Sequence, residues 1–417
     1  MKKVLFITTR LVYPVNDGRK VVIYNYCKGL SENYNCEVRL FSIIDEYENV
    51  NQPEFINKVY SVNPPQNIEK IRNLLLKSIL LRKWPFQVSL YYSKEAKKKL
   101  YNVINEYKPD IIITDMARTA EYLRDLDKED INKILDMDDI LSKRYRRQVE
   151  AGTMGIDAVG AYSKKLPRLL RGIIGNKKIA EFILKKEANL LYKYEIEISK
   201  HYKSIIFVSP IEAEEFNNVL GENKCIDITI GVDYDYFSKV SIKEKEENCI
   251  AFLGNMYVAH NKDAVSNFIK NIFPLILKEI PECKFRVVGR CSEEYKRNIM
   301  LNKNVEVTGE VEDIREWIQK STVLVAPLTY GSGIKTKILE TMAMGVPVVT
   351  NNIGTEGMNI KNDINIIVRE NNDDFANEIK RLLKDDNYRE KISQEGSKYV
   401  RENHQWSEIL KRFQDIL

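Results

Sequence analysis

Residues 327–357 read PLTYGSGIKTKILETMAMGVPVVTNNIGTEG. Gly331 and Gly333 make a loop that runs into a helix predicted over 335–344, which Gly345 and Pro347 bring to an end. The first N–H groups of a helix have no partner within it, and its macrodipole favours an anion there. Lys335 and Lys337 add positive charge at that point. Glu340 lies further along the same helix, and a carboxylate accepts two hydroxyl hydrogen bonds, which suits a ribose diol. Arg290, at the end of a predicted strand, carries a guanidinium suited to phosphate. Together these types describe binding of a nucleoside diphosphate. The plain alternative is an ordinary helix surface, with the lysines and Glu340 solvated.

Two Asp-X-Asp runs occur, one at Asp136, Met137 and Asp138 and one at Asp233, Tyr234 and Asp235. Paired aspartates can hold a divalent cation, but two hits in one chain show how little the pattern specifies, and no metal is expected. Asp138 is a candidate polar group beside an acceptor hydroxyl; Asp138 or Asp139 would serve equally as the N-cap of a helix entered at Ile140. The cysteines (Cys27, Cys36, Cys225, Cys249, Cys283, Cys291) form no close pair and have no neighbouring histidine ligand, so they read as buried thiols of a reducing compartment. Of the histidines, His260 follows a predicted strand and is a loop candidate. His201 and His404 lie in charged helical stretches and read as structural or exposed.

Two sets of alternating strands and helices must position these groups. Strands are predicted in the N-terminal half at 2–9, 36–43, 110–114, 133–135 and 204–208, the last closing that sheet. The first is followed by a turn at 13–18, which Gly18 is expected to serve, and by a helix at 20–30. In the other half strands are predicted at 249–253, 285–288, 305–308, 323–326, 346–350 and 364–368, with Gly254, Gly289 and Gly309 at the carboxyl ends of the first three. Such alternation implies parallel sheets covered on both faces, and ligands bind beyond the carboxyl ends of their strands. Two such sheets facing each other would make one cleft. The charged stretch 239–248, KVSIKEKEEN, reads as a linker. The domains are therefore expected at 1–238 and 249–396, with a closing helical segment at 397–417.

With 417 residues, 44% of them hydrophobic and 30% charged, the chain has room for two full cores and the composition of a globular protein. The net charge of +5 comes from 65 basic against 60 acidic residues and does not point to nucleic acid. Met1 to Arg10 makes no secretory signal, and no apolar run approaches the ~20 residues that span a bilayer. A cytoplasmic protein is expected, peripheral at the inner face of the plasma membrane if its basic segments bind there. One of these is 67–83, NIEKIRNLLLKSILLRK, in which Ile68, Ile71, Leu75 and Ile79 could share a helical face. The other is 164–186, with eight basic residues against Glu181. Each reads either as a basic amphipathic surface for anionic lipid or as a core-facing helix with a solvated face.

The 327–357 stretch closely resembles the donor-site signature of family-4 retaining glycosyltransferases of the GT-B fold. The resemblance extends to Gly254-Asn255-Met256, Val288-Gly289-Arg290, Val307 to Val311 and Gly231-Val232-Asp233. It implies an α/β, GT-B chain of two Rossmann-like domains facing across a cleft, with an N-terminal acceptor domain, a C-terminal nucleotide-sugar domain and a final helix crossing back to the first. It implies that Glu340 binds the ribose and that Gly333, Ile334, Lys335 and Lys337 hold the diphosphate. Glu310 and Val311 then lie by the base, and the loop at Asp17-Gly18 closes over the sugar phosphate. Gly254, Asn255, Gly289 and Arg290 complete the donor set. A second glutamate of the family, eight positions before Glu340, is replaced by Ser332, and the family's histidine after an N-terminal strand is absent. In its place, Asp136 to Asp139 resembles a DxDS-like run of the bacterial polysaccharide sugar transferase branch.

These features are read as a retaining, nucleotide-sugar-dependent hexosyltransferase with no cofactor beyond its donor, acting on a saccharide or lipid-linked saccharide acceptor. Lys335 would stabilise the departing diphosphate, and Asp138 would assist the acceptor. A catalytically silent homologue and a nucleotide-sugar epimerase are the rivals. A dinucleotide-dependent oxidoreductase is disfavoured, since residues 9–20 hold one glycine where its phosphate loop needs three.

Overall fold

The structure is a computed structural model of the chain and describes residues 1–15, 18–45, 52–150, 177–239, 245–331 and 333–417. Two compact units emerge: one of residues 1–229 together with 410–417, the other of residues 230–409. Each holds an all-parallel sheet with helices between its strands, so the chain is an α/β protein of two Rossmann-like units.

In the first unit the strands are β1 (Lys3–Thr8), β2 (Glu37–Ile43), β3 (Lys58–Val62), β4 (Ile111–Asp115), β5 (Asn132–Asp138), β6 (Ser204–Phe207) and β7 (Cys225–Asp227). They lie in the order β3-β2-β1-β4-β5-β6-β7. The central strands are almost wholly buried, which explains why KVLFIT and IIITD read as apolar runs rather than alternating ones. Two strands escape the sequence pattern. β3 is a half-exposed edge strand, and β7 is three residues long, so β6 does not close the sheet as expected. Leu5, Ile7, Ile112, Leu135, Ile205 and Phe207 sit in one core beneath the flanking helices.

The second unit holds β8 (Cys249–Leu253), β9 (Lys284–Val288), β10 (Val305–Gly309), β11 (Val323–Ala326), β12 (Val348–Thr350) and β13 (Ile367–Val368), in the order β10-β9-β8-β11-β12-β13. Here all six strands fall where the apolar runs place them. In each sheet the chain adds strands on one side of the first and then returns to add them on the other. The reversal lies between β1 and β4 in the first unit and between β8 and β11 in the second. Loops diverge at such points, which makes them the natural ligand sites of open α/β sheets.

The boundary between units falls at 229/230, ahead of the charged stretch 239–248, of which 240–244 lie outside the described residues. The C-terminal segment is not one helix. Asp386–Asn403 and Trp406–Ile409 are α-helical, and Leu410–Asp415 is a 3-10 helix that belongs to the first unit. Tyr34 Oη donates to the Leu410 carbonyl at 2.8 Å, and Phe413 meets Tyr26 edge-on at 5.0 Å. Among the described residues no helix is long and apolar enough to cross a membrane.

Candidate functional site

At the reversal point of the second sheet, the chain leaves β11 into the glycine loop. Gly331 has φ 145° and Gly333 φ 70°, conformations that side chains other than glycine's rarely tolerate. The loop delivers Lys335 as the N-cap of helix Thr336–Ala343, and among the described residues no side chain caps that helix start. The first N–H groups of a helix are the ones an anion takes. The Lys335 ammonium donates to the Gly333 carbonyl at 2.5 Å, turning back over the loop.

Lys337 lies beside it. Its Nζ donates to Asn261 Oδ1 at 2.8 Å and stands 4.3 Å from the Phe252 ring centre. Among the described residues no carboxylate forms an ion pair with it. Burial, then repulsion from Lys335, pushes its ammonium down to about 7. The half-buried Glu340 carboxyl is pushed up to about 7 by desolvation, against the pull of Lys337 and a hydrogen bond from Thr336. His260, second residue of helix Ala259–Asn267, is held down to about 4 by burial and by Lys337 and Lys335. After burial, the two lysines are what disfavour a further positive charge there. The arrangement can take a ligand bearing negative charge at the loop and hydroxyl groups at Glu340.

The adjoining strand ends are packed around a glycine pair. A Cβ on Gly289, whose φ is 134°, would lie 2.1 Å from the Gly254 carbonyl oxygen, and a Cβ on Gly254 would meet the Asn261 amide at 2.9 Å. Asn261 donates to the Asn255 carbonyl at 2.9 Å while accepting from Lys337. This one amide thus ties the loop after β8 to the lysine, a role the sequence reading missed because no motif marks it. Arg290 is not a free guanidinium. It pairs with Glu310 through Nε at 2.7 Å and Nη2 at 2.5 Å, on side chains 64% and 62% exposed. An exposed pair of this kind is weak and exchanges readily with a competing anion. Val311 is half-buried next to it and Ile334 is buried under the loop. Ser332 lies outside the described residues.

The first unit has its own cluster at the matching place. Arg19, on helix Gly18–Glu32, reaches three carboxylates at the ends of β4 and β5. It contacts Asp115 at 2.9 Å, Asp136 at 2.6 Å and Asp138 at 3.0 Å. Burial pushes Asp136 up to about 6 despite Arg19, with Asp115 and Asp138 adding to the rise. Burial would raise Asp115 too, but Arg19, Arg10 and Arg118 overcome it and hold that carboxyl below its ordinary value. Asp138 keeps part of its side chain in solvent and has φ 70°. Met116, just past β4, has φ 66° and ψ 163°, a region nearly confined to glycine. Strained strand-end residues of this sort collect at working sites.

The Asp136–Asp138 run is therefore committed to Arg19, and Asp233 of the other run caps its own helix by accepting from the Tyr236 N–H. Neither is arranged as a metal pair, and among the described residues no group of three or more His, Cys, Asp or Glu side chains could hold a metal ion. Gly18 departs from expectation: it starts a helix with no positive φ, and a Cβ there would meet nothing within 4 Å, so the turn does not require glycine at this position. Its neighbour Asp17 lies outside the described residues. His404 is buried and structural, with its ring against Tyr399 Oη and the Ile230 carbonyl.

Residues 247–385 match the family model of glycosyl transferases group 1. A protein of Klebsiella pneumoniae described as an uncharacterized 44.6 kDa protein in cps region is 21% identical over 420 residues, covering 98% of each chain. Among solved structures, sucrose-phosphate synthase of Thermosynechococcus elongatus superposes with a TM-score of 0.67 at 13% identity, covering 100% of this chain and 98% of its own. Anabaena HepE, in complex with UDP and glucose, superposes at 0.60 and 12% identity, covering 100% and 99%. The likenesses to solved structures run over the whole chain and establish the fold as GT-B.

Proposed function

We propose that this GT-B chain is a nucleotide-sugar-dependent glycosyltransferase that moves a sugar from a nucleoside diphosphate to an acceptor hydroxyl with retention at the anomeric carbon. The observation that carries the reading is the uncapped start of helix Thr336–Ala343 with Lys335 and Lys337 beside it, at the reversal point of the second sheet. The diphosphate accepts from the N–H groups at Gly333 and Ile334 and from both ammonium groups, and Glu340 takes the ribose hydroxyls. Arg290 exchanges Glu310 for the ligand, with Glu310 and Val311 turned to the base. Gly254 and Gly289, packed against each other, and Asn255 shape the strand ends beside which the donor lies. Bonding between donor diphosphate and cations strengthens as the bond from the anomeric carbon to the phosphate oxygen breaks, because negative charge grows on that oxygen. The acceptor oxygen bonds to the same face of the anomeric carbon, and its proton passes to the departing diphosphate. Asp138, steadied by Arg19, is the hydrogen-bond acceptor that orients the acceptor hydroxyl. A bacterial surface saccharide or glycolipid is the acceptor class that the Asp136–Asp139 resemblance supports, and the UDP and glucose in the HepE structure support the donor class.

The test is a thermal-shift and turnover panel of UDP-, GDP- and ADP-sugars with and without EDTA. Stabilisation by one nucleotide family, retained in EDTA and reduced in Glu340→Ala and Lys337→Met, is expected. Stabilisation by none of them would favour a catalytically silent homologue.

A further inference from the structure

The segment after helix Asn67–Asn73 is built inside out. Residues Leu74–Leu80 form a π-helix whose inner side is fastened by polar groups. Ser78 Oγ lies 2.8 Å from Ser89 Oγ, and the Asn73 amide donates to the Ser89 and Tyr92 carbonyls at 3.3 and 3.0 Å. Leu74 alone joins the small core of Leu90 and Tyr91. Helix Phe86–Tyr91, which receives these bonds, is itself anchored by the Glu187 carboxylate, which accepts from the Phe86 and Gln87 N–H groups at 2.6 and 3.1 Å. The apolar residues face solvent instead: Ile68 is 80% exposed, Leu75 54%, Ile79 59% and Leu80 72%, with Leu76 and Leu81 also exposed. A helix so well fastened does not show its leucines by fraying, and contiguous exposed apolar surface of this kind marks a contact with something apolar.

Beside this face opens a cavity of about 790 Å³, lined by Leu76 and by cations from four helical elements and the turns between them. Its carboxylates are already taken. Glu121 and Glu197 hold Arg124, and Asp125 holds Lys97 at 2.6 Å. Lys83, Lys94 and Lys193 have no ion-pair partner among the described residues, and Lys77 lies over the Trp84 ring at 5.2 Å. Arg82 is exposed on the same segment. The cavity therefore carries uncompensated positive charge, and the exposed Leu76 of the π-helix stands in its wall.

We propose that this face of the first unit docks on a bilayer containing anionic phospholipid, the phosphate headgroup entering the lysine-lined cavity and the π-helix leucines meeting the acyl chains. The charge of the cavity selects an anionic partner, and the exposed leucines of the segment that supplies Leu76 select one whose anion is joined to an apolar chain. A soluble phosphate would satisfy the first and leave the second exposed. The basic segment 164–186 bears on this only through its described part, where Phe182 is 61% exposed on the helix that supplies Lys193.

The experiment is co-sedimentation of the full chain with phosphatidylcholine vesicles and with vesicles that also contain phosphatidylglycerol, in the absence of any sugar nucleotide. Binding to the mixed vesicles only, weakened by salt, is expected. Lys83→Glu with Lys193→Glu should weaken it about thirty-fold or more, and Leu80→Asp with Leu81→Asp should abolish it. Lys278→Glu with Lys303→Glu, a charge-matched change in the second unit, should leave it intact. Circular dichroism confirms that each variant is folded. Equal binding to both vesicle types, binding to neither, full competition by inorganic phosphate, or a dimer that the leucine variants break apart would each overturn the proposal. None of these readouts uses the donor site, so its failure and that of the transferase reading are told apart.

Discussion

Lys337 should make donor binding depend on pH in a direction the structure sets. Its ammonium is pushed down to about 7 by burial and by Lys335, so the free protein loses this charge as pH rises through neutrality. A nucleotide sugar carries a diphosphate diester whose charge is fixed in this range, and it binds the charged lysine better. Binding at alkaline pH must therefore take up a proton. With a free-state value near 7, the protonated fraction falls from about nine-tenths at pH 6 to about one-tenth at pH 8. The dissociation constant should rise about ten-fold over that interval, equivalent to about 1.4 kcal/mol. Glu340, pushed up to about 7, titrates in the same window and favours ribose when ionised, so the measurement belongs in a Glu340→Gln background, where loss of that carboxyl lowers Lys337 further and steepens the rise. Isothermal titration calorimetry in two buffers of different ionisation enthalpy reads both the affinity and the proton uptake. Lys337→Met should bind more weakly throughout and lose the slope and the uptake together. An affinity flat between pH 6 and pH 8, with heats independent of buffer, would refute a lysine poised in this way against the diphosphate.

Three further outcomes follow from the same geometry. Arg19→Met leaves Asp115, Asp136 and Asp138 together without their shared counter-ion and should destabilise the first unit by about 3–5 kcal/mol. The loss should be larger at pH 8 than at pH 5, where Asp136, pushed up to about 6, takes a proton, and is read from urea denaturation at both. Gly289→Ala places a Cβ against the Gly254 carbonyl at a φ of 134°, and should cost about 1–3 kcal/mol in thermal unfolding and weaken nucleotide-sugar binding with it. Glu195, whose carboxylate accepts from the Ser142 N–H and Oγ, is pushed up to about 7 by burial. An acid raised on folding holds its proton in the folded state, so this stability is present below the unfolded value of about 4.5 and lost as pH rises toward 7. Glu195→Gln removes that loss and should gain on the parent by up to about 3 kcal/mol between pH 5 and pH 8 in urea titrations.

Much of the second unit was legible in the chain because it is local. A fully buried parallel strand is a short apolar run whatever it packs against, and the loop, cap and stop of helix Thr336–Ala343 are written in neighbouring residues. Lys335, Lys337 and Glu340 share that helix region, so their proximity follows from its pitch. The first unit yielded less. β3 shows no strong pattern because an edge strand buries little, and β7 is too short to make a period. Arg19 was invisible as a keystone, since its carboxylates lie 96 and 119 residues away and only the sheet order brings β4 and β5 beside helix Gly18–Glu32. The pairing of Arg290 with Glu310 likewise needs β9 and β10 to be neighbours.

The leucine-rich segment after Asn73 shows the division most plainly. Its composition offered two readings, a membrane-facing helix or a core helix, and helical periodicity alone could not choose. The choice was made by Ser89 and Tyr92, on and at the end of a helix that the distant Glu187 anchors, which take the polar side of the segment inward and leave the leucines outside. Sequence determines what a stretch of chain does within its own few turns, where propensity and spacing act. Tertiary structure decides which side of that stretch meets water and which distant charge it meets, because those energies depend on partners that only folding brings near.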